Sequence, residues 1–146
     1  MPKYLPLALM VAGFLSCKKS ENNNNNCVLN ATTIAGTYQI IAITYQSSPG
    51  APATDQFSNL PGCEKDDNIV LDADGSLSFV DAGINCGIPP EPGSASSWTL
   101  ENNNTILKFG DQQFSIKSFD CKQLVIVESN AVINGDSRTT TIEKQQ

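Results

Sequence analysis

Beyond residue 36 the chain reads as short stretches in which apolar and polar residues alternate: 37–45, 68–72, 76–81, 97–101, 105–109, 112–118, 123–129 and 138–144. The alternation is sharpest where Phe114, Ile116 and Ser118 interleave with Gln113, Ser115 and Lys117, and where Leu77 and Phe79 interleave with Ser76 and Ser78. Successive side chains on a strand point to opposite faces, so each stretch predicts a strand with one buried and one wet face. Helical periodicity is confined to a single turn within 29–35, capped by Asn30 or Thr32. Ala73-Asp74-Gly75, Asn102-Asn103-Asn104, Gly110-Asp111 and 120–122 are tight connections that join sequential antiparallel neighbours. Eight meandering strands are most economically closed into an up-and-down barrel, because closure removes both sheet edges; an open β-sandwich is the alternative. The fold class is therefore all-β.

Composition narrows the function more than the fold. At 146 residues the chain has room for one domain. Its net charge of −6 is the wrong sign for gripping phosphates, which argues against nucleic acid as a partner. The count of histidines is 0, which removes Ser-His-Asp and Cys-His nucleophiles and histidine metal sites together. No cofactor and no metal are expected, and no enzyme activity.

The amino-terminal part has a different character. Lys3 precedes an apolar run from Leu5 to Leu15, too short for the roughly 20 residues that span a bilayer, and the run ends at Ser16-Cys17 before Lys18-Lys19. This resembles the lipobox of bacterial lipoproteins. The resemblance implies that residues 1–16 are a signal peptide and that Cys17 is lipidated to become the first mature residue, with two kinds of acyl linkage for stable anchoring. Residues 17–26, which end in five consecutive asparagines, read as a tether, and 27–146 as the folded domain. The expected address is the cell envelope, on the outer membrane.

With Cys17 taken by lipid, Cys27, Cys63, Cys86 and Cys121 remain, an even number that reads as two disulfides after export, with three pairings open. Strand parity chooses among them. If the first strand begins at a floor, the connections 46–67, 82–96, 110–111 and 130–137 share the opposite end, a mouth, whereas the short hairpins share the floor. Cys63 and Cys86 then meet at the mouth and Cys27 and Cys121 at the floor. The mouth loops, stiffened by Pro49, Pro52, Pro61, Pro89, Pro90 and Pro92, are where recognition is expected.

Gly36-Thr37-Tyr38 opening the first strand, Cys63 to Asp67 ahead of an Asp74-Gly75 hairpin, Ser97-Trp98-Thr99-Leu100, Ile106-Leu107 and Leu124-Val125-Ile126 follow one another in an order that resembles the lipocalin-like domain of small Bacteroidota lipoproteins. The resemblance covers residues 27–146. It implies an eight-stranded barrel with Tyr38 in place of the usual tryptophan at its floor. Lipocalins pack an arginine over that ring; Arg138 starts at the opposite end of the barrel and does not fill that place.

Tyr38, Phe79, Trp98, Phe109 and Phe114 are core residues by default and candidate lining of a cavity, since an eight-stranded barrel either just fills or holds one small ligand. Glu64, Asp66 and Asp67 form the densest acidic group and read as a solvated strand entrance. Asp72-Ala73-Asp74-Gly75 lacks the ligands that complete a calcium loop and reads as a hairpin turn. The expected function is a membrane-anchored binding module for a small apolar or amphipathic ligand. The alternative is a structural or interaction lipoprotein with a filled barrel whose loops dock another envelope protein.

Overall fold

The computed structural model describes residues 27–87 and 97–146. The signal peptide, Cys17 and the tether expected over 1–26 lie outside the described residues, as do Pro89, Pro90 and Pro92.

Each alternating stretch becomes a strand. In chain order these are β1 (Gly36–Gln46), β2 (Thr54–Asp55), β3 (Asn68–Leu71), β4 (Leu77–Val80), β5 (Trp98–Glu101), β6 (Ile106–Phe109), β7 (Gln112–Phe119), β8 (Gln123–Ser129) and β9 (Ser137–Lys144). Their lateral order is β4-β3-β1-β9-β8-β7-β6-β5, antiparallel throughout, with β2 attached to the far end of β1. This is an up-and-down meander in which the first strand pairs with the last, from Tyr38 opposite Lys144 to Gln46 opposite Ser137. The remaining seam, between β4 and β5, is held by one bridge from Ser76 to Ser97 and by the Trp98 amide donating to the Gly75 carbonyl at 2.8 Å. The barrel is thus nearly closed.

Turn chemistry explains the connections. Gly75, at φ 89°, takes the left-handed position of the β3–β4 hairpin, and Asp74 accepts from the Ser76 amide and hydroxyl at 2.9 and 2.6 Å. Those bonds hold the Asp74 carboxyl below its ordinary range, the hydroxyl bond contributing most. Asn102, Asn103 and Asn104 are all left-handed, at φ 50°, 54° and 63°, a backbone that asparagine tolerates better than other side-chain-bearing residues. The helical turn α1 (Ala31–Ile34) is capped by Asn30 and Thr33 in a reciprocal capping box and drops Ile34, fully buried, into the floor. Gly36 follows at φ 152°, where a Cβ would collide with the Lys144 side chain.

Several details differ from the alternation. A bulge between Ile116 and Ser118 adds one residue to β7, so Phe119 rather than Ser118 returns to the inner face, opposite Leu124. A second bulge between Ile40 and Ala42 leaves Ile41 36% exposed. The connection after β1 contains β2, a 3₁₀ turn at Phe57–Asn59 and a short helix, α2 (Gly62–Lys65), none of them expected. Asp66 and Asp67 are not a solvated entrance: they accept from the amides of Ile84 (2.8 Å) and Ala82 (3.3 Å) and fasten the loop after β4.

Disulfides form between Cys27 and Cys121, at a Cα separation of 5.6 Å, and between Cys63 and Cys86, at 5.2 Å. This is the pairing that parity selects, one bridge at each end of the barrel. In the chain-entropy account, removing the first by a double serine substitution costs about 4.7 kcal/mol and removing the second about 3.4 kcal/mol. Denaturant unfolding of the two double variants checks the order, and peptide mapping without reduction that found Cys63 joined to Cys121 would overturn the topology.

Candidate functional site

The floor half of the barrel is filled. Ile34, Tyr38, Leu71, Leu77, Trp98, Leu107, Leu124 and Ile142 lie between 0% and 3% exposed. Tyr38 donates from its hydroxyl to the Ile34 carbonyl at 2.6 Å, and burial pushes its pKa up to about 12. The Lys144 ammonium sits 5.8 Å from the Tyr38 ring centroid and donates to the Thr33 carbonyl at 3.1 Å. The cation over the floor aromatic is therefore Lys144. Trp98 donates from its indole to the Asp72 carbonyl at 2.9 Å, which ties β5 to the β3–β4 hairpin beneath the seam.

Toward the mouth the packing loosens. Phe79 is on the same face as Leu77, opposite Ile69, yet it is 45% exposed where Leu77 is 3% and Ile69 7%. Phe109 and Phe114 pack with their rings tilted at 58° and centroids 5.3 Å apart, and both are only partly buried. The walls differ in height: β3, β4, β5 and β6 have 4 residues each, about 13 Å, whereas β1 has 11 residues, about 36 Å. Inward residues near the top of the low wall accordingly meet solvent.

The tall wall carries polar groups at the same end. β8 and β9 pair in unbroken register, so Glu128 and Arg138 share the inner face of Ile126 and Ile142. Arg138 approaches the Oε2 atom of Glu128 at 3.4 Å, and the two side chains are 36% and 21% exposed. Tyr45, opposite Arg138, donates to Asp136 at 2.8 Å. Asp136, 3% exposed, also accepts from the amides of Val132 and Ile133 at 3.1 and 2.8 Å. Burial works to raise its pKa, but the amide of Ile133, the Tyr45 hydroxyl and the amide of Val132 outweigh it, and the carboxyl lies below its ordinary range. Tyr45 is raised, chiefly by its bond to Asp136, then by burial and the charge of Asp136, against the opposing pull of Arg138.

Of the five rings expected as core or lining, Phe79 is exposed and Phe109 and Phe114 pair with each other, partly buried against the core, while Tyr38 and Trp98 belong to the filled floor. Glu128, Arg138 and Asp136 are not among the residues that the sequence singles out as lining, although the spacing of Leu124, Ile126 and Glu128 against Arg138, Thr140 and Ile142 places the first two on the inner face. Hollows of about 670 Å³, beside Cys121, Lys122 and Gln146, and about 400 Å³, beside Asp74, Trp98 and Asn104, open on the floor side, away from this constellation. Among the described residues there is no cluster of metal-ligating side chains.

The Asp136 bonds have a signed consequence. A carboxyl with lowered pKa contributes stability above its unfolded value near 4, and the contribution fades as pH falls through the lowered folded value. Asp136→Asn is expected to lower the unfolding midpoint at neutral pH, with the gap to the native chain closing in acid. In a 27–146 domain, whose tyrosines are Tyr38 and Tyr45, absorbance at 295 nm should show no ionisation step at the ordinary value near 10. The same substitution should move Tyr45 back toward that value.

No protein-family model matches the chain, and no curated protein matches it in sequence.

Proposed function

We propose that the chain is a lipid-anchored protein of the bacterial envelope whose lipocalin-like barrel binds a small apolar or amphipathic ligand through its loosely packed half. The observation that carries this reading is Phe79, an inward ring 45% exposed in a strand whose neighbouring inward residue is buried. Apolar surface left to water forfeits about 25 cal/mol per Å², which the apolar part of a ligand would recover. The all-β barrel itself fits a ligand-binding or a structural protein. The address rests on the lipobox resemblance around Cys17 and on the tether that follows it. Binding suits these residues better than catalysis, since the chain contains 0 histidines and Asp66, Asp67, Asp74 and Asp136 are spent on loop backbone.

A second reading, docking of another envelope protein, is favoured by Ile84, Val132 and Ile133, which stand 65%, 62% and 57% exposed on the mouth loops. The two readings separate in solution. A polarity-sensitive apolar dye should bind saturably below about 100 μM, or about −5.5 kcal/mol. Its own emission is the readout, because Trp98 is sealed in the floor. Phe79→Glu should weaken the dye at least about tenfold (about 1.4 kcal/mol) with the far-UV spectrum unchanged; absence of saturable binding to the native chain would sink the ligand reading.

The anchor has its own test. Intact-mass analysis of membrane-extracted protein should find a chain that begins at Cys17 and carries acyl groups, and Cys17→Ser should release the protein from membranes. A soluble product starting elsewhere contradicts the anchor.

A further inference from the structure

We infer that the ligand of the open barrel half is a cationic amphiphile, its tail against Phe79 and its positively charged head at the inner carboxylate of Glu128. The inference rests on the ligand-binding reading above and adds the sign of the charge.

Three observations support it. The first is apolar surface near the mouth: Phe79 is 45% exposed, and Phe109 and Phe114, packed against the core, are only partly buried. The second is the position of Glu128. It projects from β8 on the same face as Leu124 and Ile126, both buried, and remains 21% exposed toward the mouth. A carboxylate on an apolar wall feels little solvent screening, so a cation brought to it is held more strongly than at an open surface. Arg138 meets Glu128 through Oε2 at 3.4 Å, longer than the 2.7–2.9 Å usual for a strong charge-assisted bond, which leaves the carboxylate room for a second partner.

The third observation is the field around the opening. On the mouth loops and strand ends Asp55, Glu64, Asp81 and Asp111 join Glu128 and Asp136. The basic residues placed there, Lys65 and Arg138, are both engaged, Lys65 with the Ser58 carbonyl at 3.1 Å and Arg138 with Glu128. Lys108 lies on the outer face of β6 and pairs with Glu101 at 3.5 Å. A groove whose entrance is acidic draws cations in and repels anions. An anionic head placed at Arg138 would have to displace Glu128 and approach Asp136 through Tyr45. The charge complementarity therefore selects an apolar tail with an ammonium or guanidinium head.

Displacement of the bound dye from the full chain tests this with three probes that share one tail: decyltrimethylammonium and decanoate, each below its micelle concentration, and decanol below its solubility limit. The ammonium is expected to displace dye at a concentration at least about tenfold lower than decanoate (about 1.4 kcal/mol). The advantage should shrink severalfold at about 0.5 M salt, where the Debye length falls to about 4 Å. Glu128→Gln should cut the ammonium-to-decanoate ratio at least fivefold while decanol is unaffected, and Arg138→Gln should enlarge it. Equal displacement by all three probes, or a ratio indifferent to both substitutions, overturns the inference and leaves the binding reading intact. Failure of decanol and of both ions to displace, with no saturable dye binding, overturns the two together.

Discussion

The barrel depends on the pairing of its first strand with its last. β1 and β9 bond from Tyr38–Lys144 to Gln46–Ser137, and this ladder converts a meander with two raw edges into a wall. Among the described strands it is the pairing of longest range and the most demanding, because everything between the strands must already turn with the right hand and register. The bulge at Ile41 lies within it, adding one residue to β1 so that Ile43 and Tyr45 face inward beside Thr140 and Arg138. Tyr45 stands on the inner wall beside Arg138 because of that extra residue.

Floor and mouth are built on opposite principles. At the floor β3–β4, β5–β6 and β7–β8 end in tight hairpins, α1 folds across, and Asn104 reaches the Leu29 carbonyl at 2.9 Å, so apolar side chains are packed to exclusion of water. On the mouth side the strands end at different heights and long connections take over. Apart from the short β1–β2 pairing, those connections are held by side chains: Asp66 and Asp67 on one loop, Asp136 on another, and the Cys63–Cys86 bridge between two. The carboxylates there do structural work through backbone amides, and Glu128 is the one whose placement on the inner wall asks for a different explanation.

The sequence made much of this legible and concealed the rest for definite reasons. Alternation exposes strands because the side-chain period is two, and Asp74-Gly75 and the Asn102–Asn104 run expose hairpins because few other residues accept a left-handed backbone. With order known, cysteine positions follow by counting ends. A bulge, by contrast, inserts a residue without any compositional mark, so Ser118 looked inward when Phe119 is. The two-residue β2 and four-residue α2 are too short to show a period. The looseness around Phe79 arises from unequal strand lengths on facing walls, a property of the closed object that no single strand reveals.

The Cys27–Cys121 bridge, finally, determines where mechanical load enters. The segment that leads into the domain is bonded through sulfur to the β7–β8 turn before it reaches α1 and β1. A pull on that segment passes into the β7–β8 hairpin along its strands, and the β1–β9 ladder, together with the cap of α1, stays outside the path of force. Load applied at Cys27 therefore reaches the barrel without unzipping the ladder between its first and last strands.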